Sequence, residues 1–486
     1  MSSHRKPIVR IARVVLEALT PLSISTGSPD GVFDTDVVTD ANGLPAIPAS
    51  SLVGVLRHLW LDSFDEESAD SLFGFQRQKE AKKSSVSASW AVLLDSQHKP
   101  VEGLLLGEDR TRLNSDPLLA AAAALSDDPV FRNRVRLTHK GAAAHRGKFD
   151  RSVVPAGYRF AFELSMDGAT DAEWTQLLSL LAHPGLRLGG GTRAGLGKVA
   201  CRRLHERSFD LKDPKDAECY RKLSSSVGDT GQLEERQGMT ARDSENTWLN
   251  ATLHLKAVGP WRIGQGTPDP GDERKPADFL PVTESRVRWD GSSGRESDRE
   301  LLVPASALKG ALAHRFRFHA HRLAGRWANH SRTENGALVD PVCPESDALF
   351  GVVSGQDQGQ AGCVYLDDVF LDPEQPARQR VMHNSIDRFT GGVRDRVLFE
   401  EECLIGGEFE IPLALDYKRL ERAAESEEEL ERIRQAMALA VRDLLEGRLA
   451  LGSRTTSGNG FFNGTMTGTL TDWLAPAGST KEAEDG

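Results

Sequence analysis

The residues of this sequence that are best suited to chemistry are small ones that open two helices. Ser50 and Ser51 follow a proline in IPASSLVGVLR, and Ser306 has the same place in VPASALKGAL. A serine before a helix caps free backbone N–H groups, and the same groups bind phosphate when the helix start is open. Both segments therefore predict a capped helix start, a phosphate site, or both together.

A glycine-rich loop follows each helix later in the chain, GGGTRAGLG at 189–197 and GSRTTSGNG at 452–460. Glycine lets the backbone approach a phosphate closely, and Arg193 and Arg454 add positive charge. Neither loop continues into the Gly-Lys-Ser or Gly-Lys-Thr of a P-loop, and neither has a dinucleotide-binding context. The loops indicate phosphate binding and argue against nucleotide hydrolysis.

These paired motifs belong to an internal duplication, because five landmarks recur in the same order. They are 19–26 with 258–266, 33–40 with 277–284, the two Pro-Ala-Ser motifs, 70–75 with 347–352, and the two glycine-rich loops. Variable loops separate them. The predicted organisation is a first domain at 1–207, a polar linker at 208–246, a second domain at 247–474 and a disordered tail at 475–486.

Each copy mixes alternating strand patterns with amphipathic helix patterns. The strands include 158–166 and 407–416, and the helices 171–183 and 426–447 lead into the glycine-rich loops. The predicted class is α+β, with a split β-α-β plan of the ferredoxin-like or RNA-recognition-motif type in each copy.

Composition narrows the choice of function. The 486 residues carry a net charge of −11 and five scattered cysteines. An acidic chain is not a simple nucleic-acid coat, although a local groove can still be basic. The sequence lacks a long apolar stretch and a secretory signal pattern, which predicts a cytoplasmic protein without a membrane partner. The cysteine pattern fits a reducing compartment.

On these motifs the chain resembles the RAMP superfamily, and more narrowly the backbone subunit of type III CRISPR effector complexes. The resemblance is most specific at 43–57, at 303–312 and at 383–413, and it covers nearly the whole chain twice. Two fused copies resemble the fused backbone subunits of subtype III-D. The resemblance implies two tandem modified ferredoxin-like domains with thumb hairpins, which bind guide RNA and meet target RNA and other type III effector subunits.

The resemblance also implies endoribonuclease activity on the paired target RNA, with Mg²⁺ or Mn²⁺ as cofactor. Asp34 and Asp278 match the cleavage aspartate of the family. The ribose 2′-OH of the substrate is the nucleophile, so one carboxylate that accepts a proton or holds a metal could suffice. The structural alternative is an aspartate that caps a turn. Neighbouring carboxylates offer substitutes in both loops, namely Asp36, Asp40, Asp269 and Asp272.

Basic residues at family positions are predicted to hold RNA. Lys309 matches a basic position that is Val53 in the first copy, and Arg57 matches an arginine that is Ala313 in the second. These differences predict that the two copies hold RNA unequally. The thumb segments carry further candidates, with a solvated hairpin as the alternative, and these are His139, Lys140, Arg146, Lys148, Arg388, Phe389, Arg394 and Arg396.

Histidines gather near one cysteine, at His314, His319, His321, His330 and Cys343. Some members of the family carry zinc at this place, but a single cysteine is a poor zinc set, so zinc is not expected. Three function classes stay open. They are a target-RNA endonuclease within an effector complex, a non-catalytic guide-binding backbone, and an RNA-binding module outside CRISPR.

Overall fold

The computed structural model describes residues 8–25, 36–77, 80–138, 141, 143–168, 170–238, 247–264, 266, 268, 275–327, 342–352, 359–372, 374–395 and 397–475. The elements of the first copy are β1 Ile8–Ala18, α1 Ala49–Ser63, α2 Glu66–Phe73, β2 Phe75–Arg77, β3 Glu80–Lys82, β4 Val86–Ala88, β5 Val92–Leu93, α3 Arg112–Ser115, α4 Pro117–Ala124, β6 Val130–Phe131, β7 Arg134–Leu137, β8 Ala143–Phe149, β9 Ser152–Val153, β10 Arg159–Asp167, α5 Asp171–Ser179, β11 Val199–Asp210, α6 Pro214–Arg221 and β12 Glu234–Glu235.

The elements of the second copy are β13 Trp248–Ala257, β14 Pro260–Trp261, β15 Thr283–Glu284, β16 Val287–Asp290, β17 Ser293–Glu296, β18 Glu300–Val303, α7 Ala305–Leu323, α8 Pro344–Phe350, β19 Gly351–Val352, β20 Gln360–Ala361, β21 Val364–Leu366, β22 Val369–Phe370, β23 Ala377–His383, β24 Phe399–Ile405, β25 Glu408–Asp416, α9 Tyr417–Ala423, α10 Glu427–Leu445, β26 Phe462–Thr467 and α11 Thr469–Leu474. Within the described residues, no helix combines the length and apolarity that a membrane span requires.

Both copies use one strand order. In the first sheet β1 lies between β10 and β11, and β4 pairs with the far edge of β10. In the second sheet β13 lies between β25 and β26, and β21 pairs with the far edge of β25. Every one of these pairings is antiparallel, which is the arrangement of a split β-α-β domain. The predicted tandem ferredoxin-like architecture is confirmed.

Each sheet buries one face under amphipathic helices. Helix α1 turns Leu52, Leu56 and Trp60 toward the first core, at a spacing of four residues. Helix α10 presents Ile433 and Met437 to the second core with the same spacing. Residues four apart share one face of a helix, so these patterns fix which side of each helix meets its sheet.

Much of the segment predicted as a linker is folded. Strand β11 continues to Asp210, and α6 and β12 follow within the 208–238 region. Phe209 and Leu233 pack with Ile11 on the second face of the first sheet. The buried Arg13 donates hydrogen bonds to the carbonyls of Ser224 and Asp229. Residues 239–246 of the predicted linker and 476–486 of the predicted tail lie outside the described residues.

A hairpin of the second copy enters the core of the first. Strands β16 and β17 form this hairpin, and Val287 is part of the first hydrophobic core. The Val287 N–H donates to Ala156 O at 2.9 Å, and Trp289 Nε1 donates to Gly157 O at 2.7 Å. Gly157 has φ +89°, and an added Cβ would lie 1.9 Å from Val287 O. Only glycine admits the strand at this point.

Buried charges join the two copies beside this hairpin. Arg132 Nη2 of the first copy lies 2.9 Å from Glu284 Oε2 and 3.0 Å from Asp368 Oδ2 of the second. Burial raises the pKa of both carboxyls, and the Arg132 guanidinium offsets this only in part. Next to them, Asp367 pairs with Arg187 at 2.6 Å and with Lys198 at 2.7 Å.

We expect Arg132→Met to destabilise the chain by about 3–5 kcal/mol, because the change leaves two buried carboxylates without their cation. Urea unfolding at pH 7 measures the difference. The control is Arg221→Met, at an exposed position in the last turn of α6, with an expected effect within about 0.5 kcal/mol. Lowering the pH toward 5 should reduce the difference in unfolding free energy between wild type and Arg132→Met, because protonation neutralises the two carboxylates that have lost their cation. Equal midpoints for wild type and Arg132→Met would contradict the assignment.

Candidate nucleic-acid interface

The two Pro-Ala-Ser helices start at their prolines and not at their serines. Pro48 and Pro304 occupy the N-cap positions, and a proline side chain cannot accept a hydrogen bond from its helix. The predicted capping by Ser50, Ser51 and Ser306 is therefore wrong, because these serines already lie in the first helical turn. Proline suits the position since it has an extended backbone and no N–H to satisfy.

The start of α7 is already occupied by a carboxylate of the protein. The Ala305 N–H donates to Asp368 Oδ1 at 2.8 Å, which is a favourable place for negative charge. The first glycine-rich loop lies against the same group, since a Cβ on Gly195 would come 2.0 Å from Asp368 Oδ1. Gly195 has φ +100°, which also favours glycine. The loop of the first copy and the helix of the second thus meet at one junction.

This junction collects cations from both copies. Arg193 of the glycine-rich loop donates from Nε to Gly362 O at 2.6 Å. Arg134 donates from Nη2 to Ala194 O at 3.2 Å, and Arg151 lies against Gly190, where an added Cβ would be 2.0 Å from Nη1. Lys309 joins them from α7 and feels the charge of Arg193 and Arg134. Sequence reasoning found Arg193 and Lys309 separately but missed Arg134 and Arg151.

The electrostatics of the junction favour an anion. Burial and the neighbouring arginines lower the pKa of Lys309 to about 8. Burial, with Arg151 and Arg132 nearby, lowers the pKa of Arg134 to about 10 although Asp368 opposes the change. Burial also lowers the pKa of Arg151. None of these three, nor Arg193, forms an ion pair with a carboxylate among the described residues. A phosphate here would supply the missing negative charge.

The second glycine-rich loop has a different charge balance. Gly190 N–H donates to Ser23 O at 2.7 Å, and Ser453 N–H donates to Arg262 O at 2.9 Å, which aligns the two loops. In this register Arg454, with φ +55°, stands where the first loop has Gly191. Its Nε lies 3.6 Å from Glu401 Oε2.

Glu401 is fully buried and gathers the cations around that loop. Arg262 Nε lies 2.7 Å from its Oε1, and His383 Nε2 lies 3.2 Å from its Oε2. Burial raises the pKa of Glu401, but the hydrogen bond and charge of Arg262 and the charge of Arg454 outweigh it, so the pKa is lowered overall. Arg454 and Arg193 were both predicted to add positive charge to their loops for RNA binding. The structure gives Arg454 a carboxylate partner, whereas Arg193 has only the carbonyl of Gly362 and no ion pair among the described residues.

Arg57 also has an internal role. Its Nη2 lies 2.8 Å from Asp70 Oδ1, and Asp70 is buried at the junction of α1 and α2. An arginine held in this way supports the local helix pair. The RNA contact predicted for Arg57 stays a prediction, and it would compete with this ion pair.

Both predicted thumb hairpins form. Strands β7 and β8 make the first, and β23 and β24 make the second. At the second tip, Asp387 Oδ1 accepts the N–H groups of Phe389 and Thr390 at 2.9 Å, which lowers the pKa of Asp387. Phe389 is 91% exposed. Three further candidates, Lys148, Arg388 and Arg394, are also exposed. His139, Lys140 and Arg396 lie outside the described residues, as does the side chain of Arg146.

Asp278 lies at the base of the second hairpin. Its Oδ2 accepts the N–H of Glu400 at 2.8 Å, and the residue is exposed. Phe279 forms a parallel bridge with Glu401 and packs edge-on against Phe399 at 5.5 Å. The loop is thus attached to β24, which holds the carboxylate at a fixed place beside the hairpin.

The other candidate carboxylates divide into two groups. Asp40 Oδ1 accepts the N–H groups of Asn42 at 2.8 Å and Leu44 at 3.0 Å, which is the turn-capping role that the sequence left open. Asp36 Oδ1 accepts the N–H of Val37 at 2.8 Å. Asp34, Asp269 and Asp272 lie outside the described residues, so the cleavage role of Asp34 stays a prediction.

The histidines near α7 do not converge. His319 Nε2 lies 2.7 Å from Asp443 Oδ2, and His314 Nε2 lies 3.3 Å from Thr138 O. His330 is outside the described residues. Burial raises the pKa of the Cys343 thiol to about 11. Among the residues with described positions, no three His, Cys, Asp or Glu side chains form a group that could hold a metal ion.

Two ferredoxin-like domains, each with a glycine-rich loop, a Pro-Ala-Ser helix and a projecting hairpin, define a tandem protein of the RNA-recognition-motif type. The chain belongs to the RAMP superfamily, whose family model matches residues 15–200 and again 254–463. The duplication inferred from five landmarks coincides with these two regions. No curated protein matched the chain.

Similar chains occur among solved structures of type III-B Cmr-β complexes. One belongs to a cryo-EM structure bound to cognate target RNA, with 14% identity and a TM-score of 0.28. That match covers 41% of this chain and 60% of the other. A second, from a cryo-EM structure of the apo state, has 15% identity and a TM-score of 0.29, and covers 40% of this chain and 96% of the other.

We expect Lys309→Met to stabilise the chain at pH 7 by about 1–3 kcal/mol, because the change removes a cation whose pKa is lowered by burial among arginines. Urea unfolding measures this. The folded pKa of about 8 lies below the unfolded value of 10.5, so wild-type stability rises as pH increases from 8 to 10.5. The advantage of the variant should therefore shrink over that range.

The matched comparison is Arg454→Met, which removes a cation that pairs with the buried Glu401. This variant should be less stable than wild type at pH 7. Loss of stability in both variants would show that the junction cations are balanced by protein carboxylates after all.

Proposed function

We propose that this chain is a backbone subunit of a type III CRISPR RNA-guided effector, which binds guide RNA and cleaves the target RNA paired with it. One observation supports this most. Arg134, Arg151, Arg193 and Lys309 converge where the glycine-rich loop of one copy meets the Pro-Ala-Ser helix of the next, and no carboxylate pairs with them among the described residues. RAMP membership over both copies supports the same reading.

The ligand that suits this junction is a phosphate of a nucleic-acid backbone. Two of the four cations are buried enough for desolvation to lower their pKa clearly, and a bound phosphate would reverse that penalty. Phosphate contacts position a strand without reading its bases, so the guide sequence can vary. The net charge of −11 confines such binding to local clusters of cations.

The two copies are proposed to hold guide RNA unequally. The first glycine-rich loop offers cations without ion pairs, whereas Arg454 of the second is already paired with Glu401. A phosphate at the second loop would have to compete with a buried carboxylate. The first loop and α7 therefore form the stronger grip.

Cleavage is assigned to Asp34 and Asp278, one in each copy. Asp278 is exposed at the base of the second hairpin, where a displaced nucleotide would lie. Mg²⁺ is commonly held by one or two carboxylates together with substrate phosphates, so a single exposed carboxylate fits a metal shared with RNA. When bound, the metal would neutralise charge on the scissile phosphate. Asp278 would orient it or accept the proton of the 2′-OH.

Guide binding is tested with Lys309→Met and Arg193→Ala. Each should weaken the affinity for single-stranded RNA about tenfold, since a charge-assisted hydrogen bond contributes roughly 1.5 kcal/mol or more. Each should also reduce the slope of log K against log salt by about 0.7. Filter binding or fluorescence anisotropy at several salt concentrations gives both quantities.

The same measurement uses two controls. Arg454→Ala should have a smaller effect than Arg193→Ala, and Arg221→Ala should have none. Equal losses for all four variants would indicate binding by general surface charge. Co-purification of a discrete small RNA separates the CRISPR reading from an RNA-binding module outside CRISPR.

Cleavage is tested in the assembled complex with a guide-paired RNA. Asp34→Ala should remove one product and Asp278→Ala the other, while affinity for RNA is kept. The products should carry a 2′,3′-cyclic phosphate and a 5′-hydroxyl, and a target with a 2′-deoxy residue at the cut site should resist. An unchanged product ladder from the double variant would favour the non-catalytic backbone.

A further inference from the structure

A pocket of about 470 Å³ lies where the first hairpin meets the C-terminal half of α7. Leu137 at the end of β7 and Leu449 after α10 contribute to its wall. The His314 side chain joins the two copies beside it, with Nε2 at 3.3 Å from Thr138 O. The volume is in the range of small-molecule sites. The pocket is separate from the cations of the junction, none of which lines it.

Among the described residues, the lining of this pocket is basic and apolar, with no acidic side chain. Arg315 is held by Asp443 at 2.6 Å, and Arg326 is held by the buried Glu345, so both guanidinium groups have fixed positions. Arg322 is exposed and has no ion-pair partner among the described residues. On a chain with a net charge of −11, such a lining indicates an anionic ligand.

Unsatisfied polar groups and open aromatic faces also characterise the pocket. Both ring nitrogens of His321 are buried and have no hydrogen-bond partner among the described residues, which is unusual for a polar group. Phe318 is 50% exposed and Trp327 is 53% exposed, although both are large aromatic side chains. Arg315 stacks over the Phe318 ring with its Cζ 4.9 Å from the centroid. Aromatic and guanidinium planes together are a typical platform for an unstacked base.

We propose that this pocket binds one unpaired nucleotide, with the base against Phe318 and Trp327 and the phosphate near Arg322. The ligand is an aromatic anion because the described lining joins aromatic faces to cations and holds no carboxylate. The nucleotide can come from a bound RNA strand or be a free mononucleotide. Binding a nucleotide of a bound RNA strand, here called the strand source, rests on the proposed function and extends it. Binding a free mononucleotide, here called the free source, is independent of the proposed function.

The position beside the first hairpin favours a nucleotide of a bound strand. The hairpin projects from the first copy and ends at the pocket through Leu137. Strand β7 of this hairpin carries both Arg134 of the junction and Leu137 of the pocket, so an RNA strand held at the junction would pass along the hairpin. A base displaced from such a strand would find a pocket with a basic rim and aromatic walls.

Photo-crosslinking of single-stranded RNA containing 4-thiouridine tests the strand source. We expect crosslinks to the peptide that contains Phe318 and Trp327, and at least a tenfold loss of this crosslink in the double variant Phe318→Ala/Trp327→Ala. Arg322→Glu should reduce it as well. The matched controls are Trp90→Ala, whose side chain is 49% exposed in the first copy, and Arg221→Glu in the last turn of α6. Both controls should leave the crosslink unchanged.

Calorimetric titration with AMP tests the free source with the same variants. AMP binding that is lost in Phe318→Ala/Trp327→Ala supports the pocket even if the chain binds no RNA, so the two proposals fail separately. RNA binding that depends on Lys309 without any crosslink to α7, together with no AMP binding, overturns the pocket alone. If the variants change neither the RNA crosslink nor AMP binding but lose the binding of an acidic partner protein, the nucleotide proposal is overturned. The surface is then assigned to protein docking.

Discussion

The carboxylate of Asp368 is the group on which the arrangement of the two copies depends. It accepts the first N–H of α7, lies 3.0 Å from Arg132 of the first copy, and lies against Gly195 of the first glycine-rich loop. One buried anion therefore sets the helix of one copy beside the loop of the other. It partly offsets the charge of Arg134, and the other cations of the junction have no ion pair within the described part of the chain. The junction owes its geometry to this residue and its positive potential to the arginines and the lysine around it.

The duplication has kept the backbone and changed the charges. The two loops share the hydrogen bonds that align them, yet Arg151 lies beside Ser23 in the first copy while Glu401 lies beside Arg262 in the second. A buried cation without a carboxylate partner lowers the stability of the fold. In a buried ion pair, the attraction between the two charges offsets part of that cost. Natural sites that bind anions commonly keep such a cost. The two copies thus differ in that Glu401 balances the cations of the second loop, while the first loop keeps its positive charge.

The sequence predicted the features that repeat and missed those that depend on distant partners. The duplication and the split β-α-β plan follow from local patterns that occur twice, and the resemblance to the RAMP superfamily implied both hairpins. The capping serines were wrong because proline takes the N-cap position, and the 208–238 segment was read as a linker because its few apolar residues are far apart. Arg134 and Arg151 gave no signal, since an arginine without a carboxylate partner differs from any other only in three dimensions.

The hairpin of β16 and β17 makes the core of the first copy depend on the second copy. Val287 completes the core of the first copy, and Gly157 of that copy has no side chain because the strand passes there. A first copy expressed alone would lack a residue of its own interior and would expose an apolar slot. The repeat is visible in the sequence, but folding should be cooperative across both copies, as one unit. Fusion has therefore made their order and one-to-one ratio independent of concentration.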